Sequence, residues 1–106
     1  MNFIRNEPEI LHIGADYRRG YEIGADFDLN SCTAVMKVRS QQGKLLAEAE
    51  CVIHDNILYC TITAEATKNI GRNYRSGLYD VFLFHGNESI KIVMGYMKFI
   101  HDISAH

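Results

Sequence analysis

The chain has 106 residues, a formal net charge of -2 and a hydrophobic fraction of 47 %. This length suits one domain with a single core, and the composition is ordinary for a globular protein. Lys and Arg are scattered apart from Arg18-Arg19 and the loop 72–75, so no basic track for a nucleic-acid backbone is indicated. We therefore expect no nucleic-acid partner.

The N-terminal segment Met1–Glu9 is polar and lacks the apolar stretch of a signal peptide. No apolar run approaches the roughly 20 residues of a membrane-spanning helix, so we expect no membrane partner. Without a signal peptide, we expect a protein made and kept in a cytoplasm, or assembled into a particle there. The odd cysteine count, Cys32, Cys51 and Cys60, argues against a disulfide framework. We expect a polar leader at 1–8, a single domain at 9–100 and a tail at 101–106.

Period-two alternation of apolar residues predicts strands along most of the chain. The weaker signals come first, at Glu9–Ile13 and Tyr17–Ile23, and a polar loop follows at 24–30. Thr33–Arg39 is a stronger strand, because Ala34, Met36 and Val38 point one way and Lys37 and Arg39 the other.

Two hairpins are predicted from their turn residues. Lys44–His54 and Ile57–Thr63 flank Asp55-Asn56, a pair suited to a two-residue loop. That loop sets a register in which Cys51 faces Cys60. It also places six residues on one buried face: Ala49, Cys51, Ile53, Leu58, Cys60 and Ile62.

The second hairpin joins Gly77–Phe84 to Glu88–Ile100 through a turn at Gly86-Asn87. Its register is predicted to pair Leu83 with Ile90, Val81 with Ile92, and Tyr79 with Met94. Between the hairpins, the segment at about 64–70 favours a short helical turn, with Thr63 as its cap and Gly71 as its end. These elements predict an all-β sandwich of about seven strands.

The order and spacing of several motifs resemble one family, the small immunoglobulin-like β-sandwich modules of tailed bacteriophages and prophages. That family includes N-terminal modules of baseplate upper proteins and stand-alone tail accessory proteins. The matching segments are Gly14-Ala15-Asp16-Tyr17, Thr33–Arg39, Gly43–Leu46, Leu58–Thr67, Gly77–Val81 and Gly95. The resemblance implies an immunoglobulin-like sandwich in the virion that docks to tail, baseplate or head-neck proteins. It carries over no active site, so we expect no enzyme.

Candidate metal and thiol sites each have a simpler interpretation. The five histidines, at 12, 54, 85, 101 and 106, show no metal-binding spacing. Asp26–Asn30 alternates oxygen ligands but lacks the Gly and Glu of a calcium loop, so we interpret it as solvated. Cys51 and Cys60 are interpreted as reduced, small core residues rather than a disulfide. We expect no metal and no cofactor.

The C-terminal strands suggest an interface, because they are apolar on both faces. Tyr79, Val81 and Leu83 already supply a core face. The candidate interface residues on the second face are Leu78, Phe82, Phe84, Val93 and Met97. Either a loop such as 72–76 or the N-terminal leader covers this face, or it binds copies of the chain or another virion protein.

Two alternative functions stay open from the sequence. One is a capsid decoration protein of the same fold. The other is a carbohydrate-binding module that uses Tyr17, Tyr21 or Tyr74 as a stacking platform for host surface glycan. For a small hydrolase, the sequence offers no set of residues that could form a catalytic site.

Overall fold

The computed structural model describes residues 4–23 and 28–101, most of which lie in strands. The strands are β1 (Arg5–Asn6), β2 (Glu9–Ile13), β3 (Tyr17–Glu22), β4 (Thr33–Arg39), β5 (Leu45–His54), β6 (Ile57–Ile62), β7 (Ser76–His85) and β8 (Glu88–His101). A 3₁₀ turn covers Leu29–Ser31, and the α-helix α1 covers Ala64–Thr67.

The strands form two layers that share β5. The larger layer has the order β1 and β2, then β8, β7, β4 and β5, while the smaller layer has the order β5, β6 and β3. The first half of β5 pairs with β4, up to Ala49 opposite Met36, and the second half pairs with β6, from Glu50 opposite Thr61. Because one strand passes from layer to layer, the sheet curls over its own core, and the predicted sandwich is confirmed.

The core lies between the two layers and contains the inward side chains of both. Residues with no exposed surface include Leu11, Tyr21, Met36, Val38, Leu58, Ile62, Val81, Leu83, Val93 and Met97. The stripe predicted for the first hairpin is confirmed, since Leu58, Cys60 and Ile62 are buried and Ala49, Cys51 and Ile53 pack against them. Alternation along each strand thus supplies one wall of the core.

The first hairpin has the predicted register. Asp55 and Asn56 both take positive φ, 50° and 61°, as a type I′ turn requires. Asx residues tolerate this conformation better than other side chains do. Cys51 consequently lies opposite Cys60, as expected from the two-residue loop.

The helical turn is shorter than predicted. Its cap is confirmed, because the Thr63 hydroxyl oxygen accepts a hydrogen bond from the Ala66 N–H at 3.2 Å. The helix ends at Thr67 rather than at 70, and a further turn follows in which the Ile70 N–H donates to the Thr67 carbonyl at 3.0 Å.

The segment expected to be a leader is partly incorporated into the larger sheet. Arg5 and Asn6 lie parallel to β8, opposite Val93 and Met94, and the Glu7 N–H donates to the Met94 carbonyl at 3.0 Å. The sheet therefore begins before residue 9. At the other end, β8 continues to His101, one residue into the expected tail.

Side chains connect the free edge of β2 to that of β3. Arg19 on β3 pairs with Glu7 and with Glu9, in the latter case with 3.1 Å between Nη1 and Oε2. The Tyr17 hydroxyl donates to Oε1 of Glu9 at 2.9 Å. These charge-assisted contacts join the two layers at the place where no backbone ladder is formed between β2 and β3.

Candidate interaction surface

The outer face of the larger sheet presents side chains of β4, β7 and β8 that point away from the core. Their register arranges them in rows across the three strands. The rows are Arg39-Leu78-Tyr96, Lys37-Asp80-Met94, Val35-Phe82-Lys91 and Thr33-Phe84-Ser89.

Five apolar residues of this face form what we call the outer patch: Leu78, Phe82, Phe84, Met94 and Tyr96. Leu78 and Tyr96 are 48 % and 49 % exposed, and Phe84 and Met94 are each 39 % exposed. The rings of Phe82 and Phe84 stack with their centroids 6.5 Å apart. The water-facing side of an antiparallel sheet is ordinarily polar, so this concentration of large apolar groups distinguishes the outer patch from an ordinary solvent-facing sheet face.

Two of the five predicted interface residues do not belong to this face. Val93 and Met97 have no exposed surface and lie in the core, so the prediction was wrong for them. The predicted register is correct near the turn, where Leu83 pairs with Ile90. Further along, Val81 pairs with Val93 rather than with Ile92, because an irregularity separates Val81 from Phe82.

This irregularity is a β-bulge in β8 at Ile92. Phe82 pairs with Lys91 and Val81 with Val93, so Ile92 is the additional residue. A shift of one residue exchanges the two faces of a strand. Beyond the bulge Met94 and Tyr96 therefore face outward.

The bulge is visible in the burial pattern of β8. Ile92 and Val93 are adjacent and both are buried, so the alternation of buried and exposed side chains is interrupted there. The alternation then restarts in the new phase, with Val93, Met97 and Phe99 inward.

Lys37 and Asp80 separate Leu78 from Phe82 in the outer patch, and Met94 lies at the β8 end of their row. Lys37 and Asp80 are cross-strand neighbours on this row, and Glu48 follows next to Lys37 on β5. The Lys91 ammonium lies 5.4 Å from the ring centroid of Phe82. The face thus alternates between apolar groups and charges of both signs.

The inner side of the same strands holds this face in place. Tyr79, Val81 and Leu83 of β7 are buried in the core, as predicted. The Tyr79 hydroxyl donates to the Glu7 carbonyl at 2.7 Å, and burial raises the pKa of Tyr79, so the group stays neutral and remains a donor. The patch therefore sits on a fixed backbone.

Two of the three tyrosines considered as a sugar-stacking platform are buried. Tyr17 and Tyr21 are 8 % and 0 % exposed, and burial raises the pKa of both hydroxyls. Tyr74 is half-buried, and the Lys44 ammonium lies 5.9 Å from its ring centroid. Because Tyr17 and Tyr21 are in the core, they offer no face to a sugar, and Tyr74 is the remaining ring of the three considered.

Two of the histidines, His54 and His85, lie beside the hairpin turns. His54 and His85 are exposed, and each lies beside a carboxylate, Asp55 at 3.2 Å and Glu88 at 3.9 Å. His101 is half-buried, and its Nε2 donates to the Tyr74 carbonyl at 2.8 Å. Within residues 4–23 and 28–101, no three His, Cys, Asp or Glu side chains come together as a metal site.

Part of the acidic loop considered for calcium, Asp26 and Phe27, lies outside the described residues. Of the remainder, the side-chain oxygen of Asn30 accepts a hydrogen bond from the Asn56 N–H at 3.1 Å. That oxygen thus fastens the loop to the tip of the first hairpin. None of the helices in the described part of the chain is long and apolar enough to span a membrane.

Cys51 and Cys60 face each other as free thiols across the first hairpin. Their Sγ atoms are 3.7 Å apart. The hydrogen bond between the two thiols lowers the pKa of Cys51 and raises that of Cys60, whose burial raises it further. Cys32 is buried elsewhere, with its thiol 3.8 Å from the Asp28 carbonyl.

Comparison with known proteins identifies the fold but no family. No protein-family model and no curated protein matches the chain. Among solved structures, the titin M4 domain matches with a TM-score of 0.50 and 11% identity, covering 94% of this chain and 92% of that one.

Two further solved structures have lower TM-scores. The N-terminal Ig1-2 module of the Drosophila receptor protein tyrosine phosphatase DLAR matches with a TM-score of 0.49 and 9% identity, over 94% of this chain and 47% of that one. The M1 domain from titin matches with a TM-score of 0.47 and 11% identity, over 92% and 89% of the two chains. Together with the two layers that share β5, the likeness to titin M4 shows that this chain has an immunoglobulin-like β-sandwich fold.

Proposed function

We propose that this chain is a non-enzymatic interaction module that pairs with a second copy of itself through the outer patch. The observation that carries the proposal is the contiguous exposure of Leu78, Met94 and Tyr96, each between 39% and 49%, on a sheet face whose backbone is fixed by the core. Association is favoured when a partner removes apolar groups of this size from water, because their burial lowers the free energy.

The order of residues across each row favours a second copy as the partner. Consider a face-to-face dimer whose two-fold axis runs parallel to the strands and lies midway between β4 and β7. Each row of one copy then lies over the same row of the other copy, with the order of its strands reversed. Lys37 of one copy then meets Asp80 of the other, and Val35 meets Phe82. Because the axis is two-fold, each of these contacts occurs twice in the dimer: two between opposite charges and two between apolar side chains.

In the row at one end of the sheet, the same axis brings the apolar side chains of the two outer strands together. Leu45 on β5 lies beside Arg39, and Tyr96 on β8 lies beside Leu78. Under the same axis Leu45 of one copy meets Tyr96 of the other. Both side chains are strongly exposed, at 45% and 49%, and would be covered together.

The proposal is tested by molar mass from size-exclusion chromatography with light scattering. The wild type should be a dimer, and Tyr96→Asp should be a folded monomer, because a carboxylate would be buried without a partner at the interface. Val52→Asp is the matched control, since Val52 is 60% exposed on the smaller sheet, away from the patch. A monomeric wild type, or equal dissociation by both variants, would contradict the proposal.

Reversing the charge of Lys37 or of Asp80 tests the position of the two-fold axis. Lys37→Asp and Asp80→Lys should each be monomeric alone, because each places like charges across both halves of the interface. An equimolar mixture of the two variants should recover a heterodimer, since every contact is again between opposite charges. A mixture that remains monomeric would exclude this axis. If the single variants change only in folding stability, the substitutions report only the loss of the Lys37–Asp80 contact within one copy.

The finer proposal is that the module is a virion protein of a tailed phage that docks to tail, baseplate or head-neck components. It is supported by the motifs Thr33–Arg39, Leu58–Thr67 and Gly77–Val81, which resemble the phage family in order and spacing. The purified protein should co-sediment with purified phage tails. Binding to empty heads instead would indicate capsid decoration, and binding to neither would contradict a virion role.

A further inference from the structure

We infer that Cys51 and Cys60 are a site of reversible oxidation, at which a small disulfide such as oxidised glutathione converts the two thiols into a cross-strand disulfide. The two residues are directly paired on β5 and β6, and their sulfur atoms are 3.7 Å apart. This inference is independent of the proposed function, because the pair lies inside the sandwich and the outer patch lies on the larger sheet.

The register places the pair where a disulfide fits. The two-residue turn is closed by His54 and Ile57 as a hydrogen-bonded pair, and hydrogen-bonded and non-hydrogen-bonded pairs alternate from there. Cys51 and Cys60 are thus a non-hydrogen-bonded pair. Such residues have Cα atoms about 4.5 Å apart, inside the range of about 4.4–6.8 Å found for disulfides. The strands need not separate for the bond to form.

The two thiols differ in access. Cys60 has no exposed surface, whereas Cys51 is partly exposed, just beyond the last pair of the β4–β5 ladder, Met36 with Ala49. Cys51 is therefore the thiol that a dissolved reagent reaches first. The thiol–thiol hydrogen bond lowers the pKa of Cys51, and a backbone N–H of Met36 acts in the same direction. Cys51 is consequently the better nucleophile of the two.

The reaction proceeds in two exchange steps. The Cys51 thiolate attacks one sulfur of oxidised glutathione, so a mixed disulfide forms and one glutathione thiolate leaves. Cys60 then attacks the Cys51 sulfur, the mixed disulfide breaks, and the second glutathione leaves. The two protons lost by the cysteines are taken by the two glutathione thiolates. Two cysteine sulfurs are oxidised and one glutathione disulfide is reduced.

The test is the intact mass of the native protein after incubation with oxidised glutathione. We expect a product lighter by two hydrogen atoms, about 2 Da, in which Cys32 alone can still be alkylated after unfolding. Dithiothreitol should restore the original mass. Cys60→Ser should instead stop at the mixed disulfide on Cys51, and Cys32→Ser, the control, should oxidise like the wild type.

Three results would overturn the inference. One is a wild type that keeps all its thiols under native conditions. Another is a wild type that accumulates the glutathione adduct on Cys51 as Cys60→Ser does, which would show that Cys60 cannot resolve it. A third is a disulfide formed only in denaturant, or one that includes Cys32, since neither would come from the native pair.

Discussion

Thr67 shows how much of this fold depends on one buried hydroxyl. The side chain has no exposed surface. Its oxygen accepts a hydrogen bond from the Gly14 N–H at 2.8 Å, while its hydroxyl donates to the Ala64 carbonyl at 2.7 Å. One residue thereby ties α1 to the bend between β2 and β3.

Thr67→Val should lower the free energy of unfolding by about 1–3 kcal/mol, because the volume is kept while the half-buried Gly14 N–H loses its acceptor. Urea denaturation measures the change. Thr61→Val is the matched control, since Thr61 lies on β6 and its hydroxyl takes part in none of these bonds; it should change stability by less than about 0.5 kcal/mol. Equal stability of Thr67→Val and wild type would show that the hydroxyl is dispensable.

At the scale of single residues, interactions between sequence neighbours could be predicted, and contacts between residues far apart in the chain could not. The cap at Thr63 and the Asx turn at Asp55-Asn56 follow from residues adjacent in the sequence. The role of Thr67 depends on Gly14, which lies 53 positions away. The core positions of Tyr17 and Tyr21 likewise depend on how β3 closes the sandwich, so their alternation alone did not distinguish a core ring from an exposed one.

At the scale of the elements, β8 decides which residues reach the surface. The strand is held on one side by β7 and on the other by β1 and β2, which run parallel to it. The bulge at Ile92 changes its phase, and Gly95 lies immediately beyond, beneath the N-terminal segment. A Cβ at Gly95 would overlap the Glu7 carbonyl oxygen and lie 2.9 Å from the Glu7 carbonyl carbon.

Gly95→Ala should therefore destabilise the fold by more than about 1 kcal/mol, because backbone atoms of Glu7 must shift and Tyr79 Cε1 would lie only 3.2 Å from the new methyl group. Gly20→Ala is the control, since a Cβ there would meet Tyr59 at an ordinary 3.5 Å. Thermal unfolding of the two variants gives the comparison. A Gly95→Ala protein as stable as Gly20→Ala would mean that β1 and β2 do not pack on β8 as described.

The bounds of the strands were largely predictable, and their partners were less so. Thr33–Arg39 and both hairpins follow from alternation and turn residues. The parallel pairing of β1 and β2 with β8, and the passage of β5 between layers, join segments that are distant in the chain. The bulge belongs to the second kind, because Ile92 and Val93 both enter the core only once that core is closed.

At the scale of the whole molecule, the sandwich has apolar side chains that its own core does not bury. The larger sheet is apolar inside and carries the outer patch outside, so the second face predicted from the sequence exists. Three of its five predicted residues, Leu78, Phe82 and Phe84, lie on the described outer face. Met94 and Tyr96 replace Val93 and Met97 there as a direct consequence of the bulge.

In the proposed dimer, this outer face, in the phase set by the bulge, pairs with the same face of a second copy. Hydroxyl-radical footprinting with mass spectrometry, at concentrations above and below the dissociation constant, tests this pairing. Met94 is 39 % exposed and Met97 fully buried, so Met94 should be oxidised in the dilute sample and protected in the concentrated one, while Met97 is protected in both. Oxidation of Met97 as fast as Met94, or no protection of Met94 on association, would contradict the account.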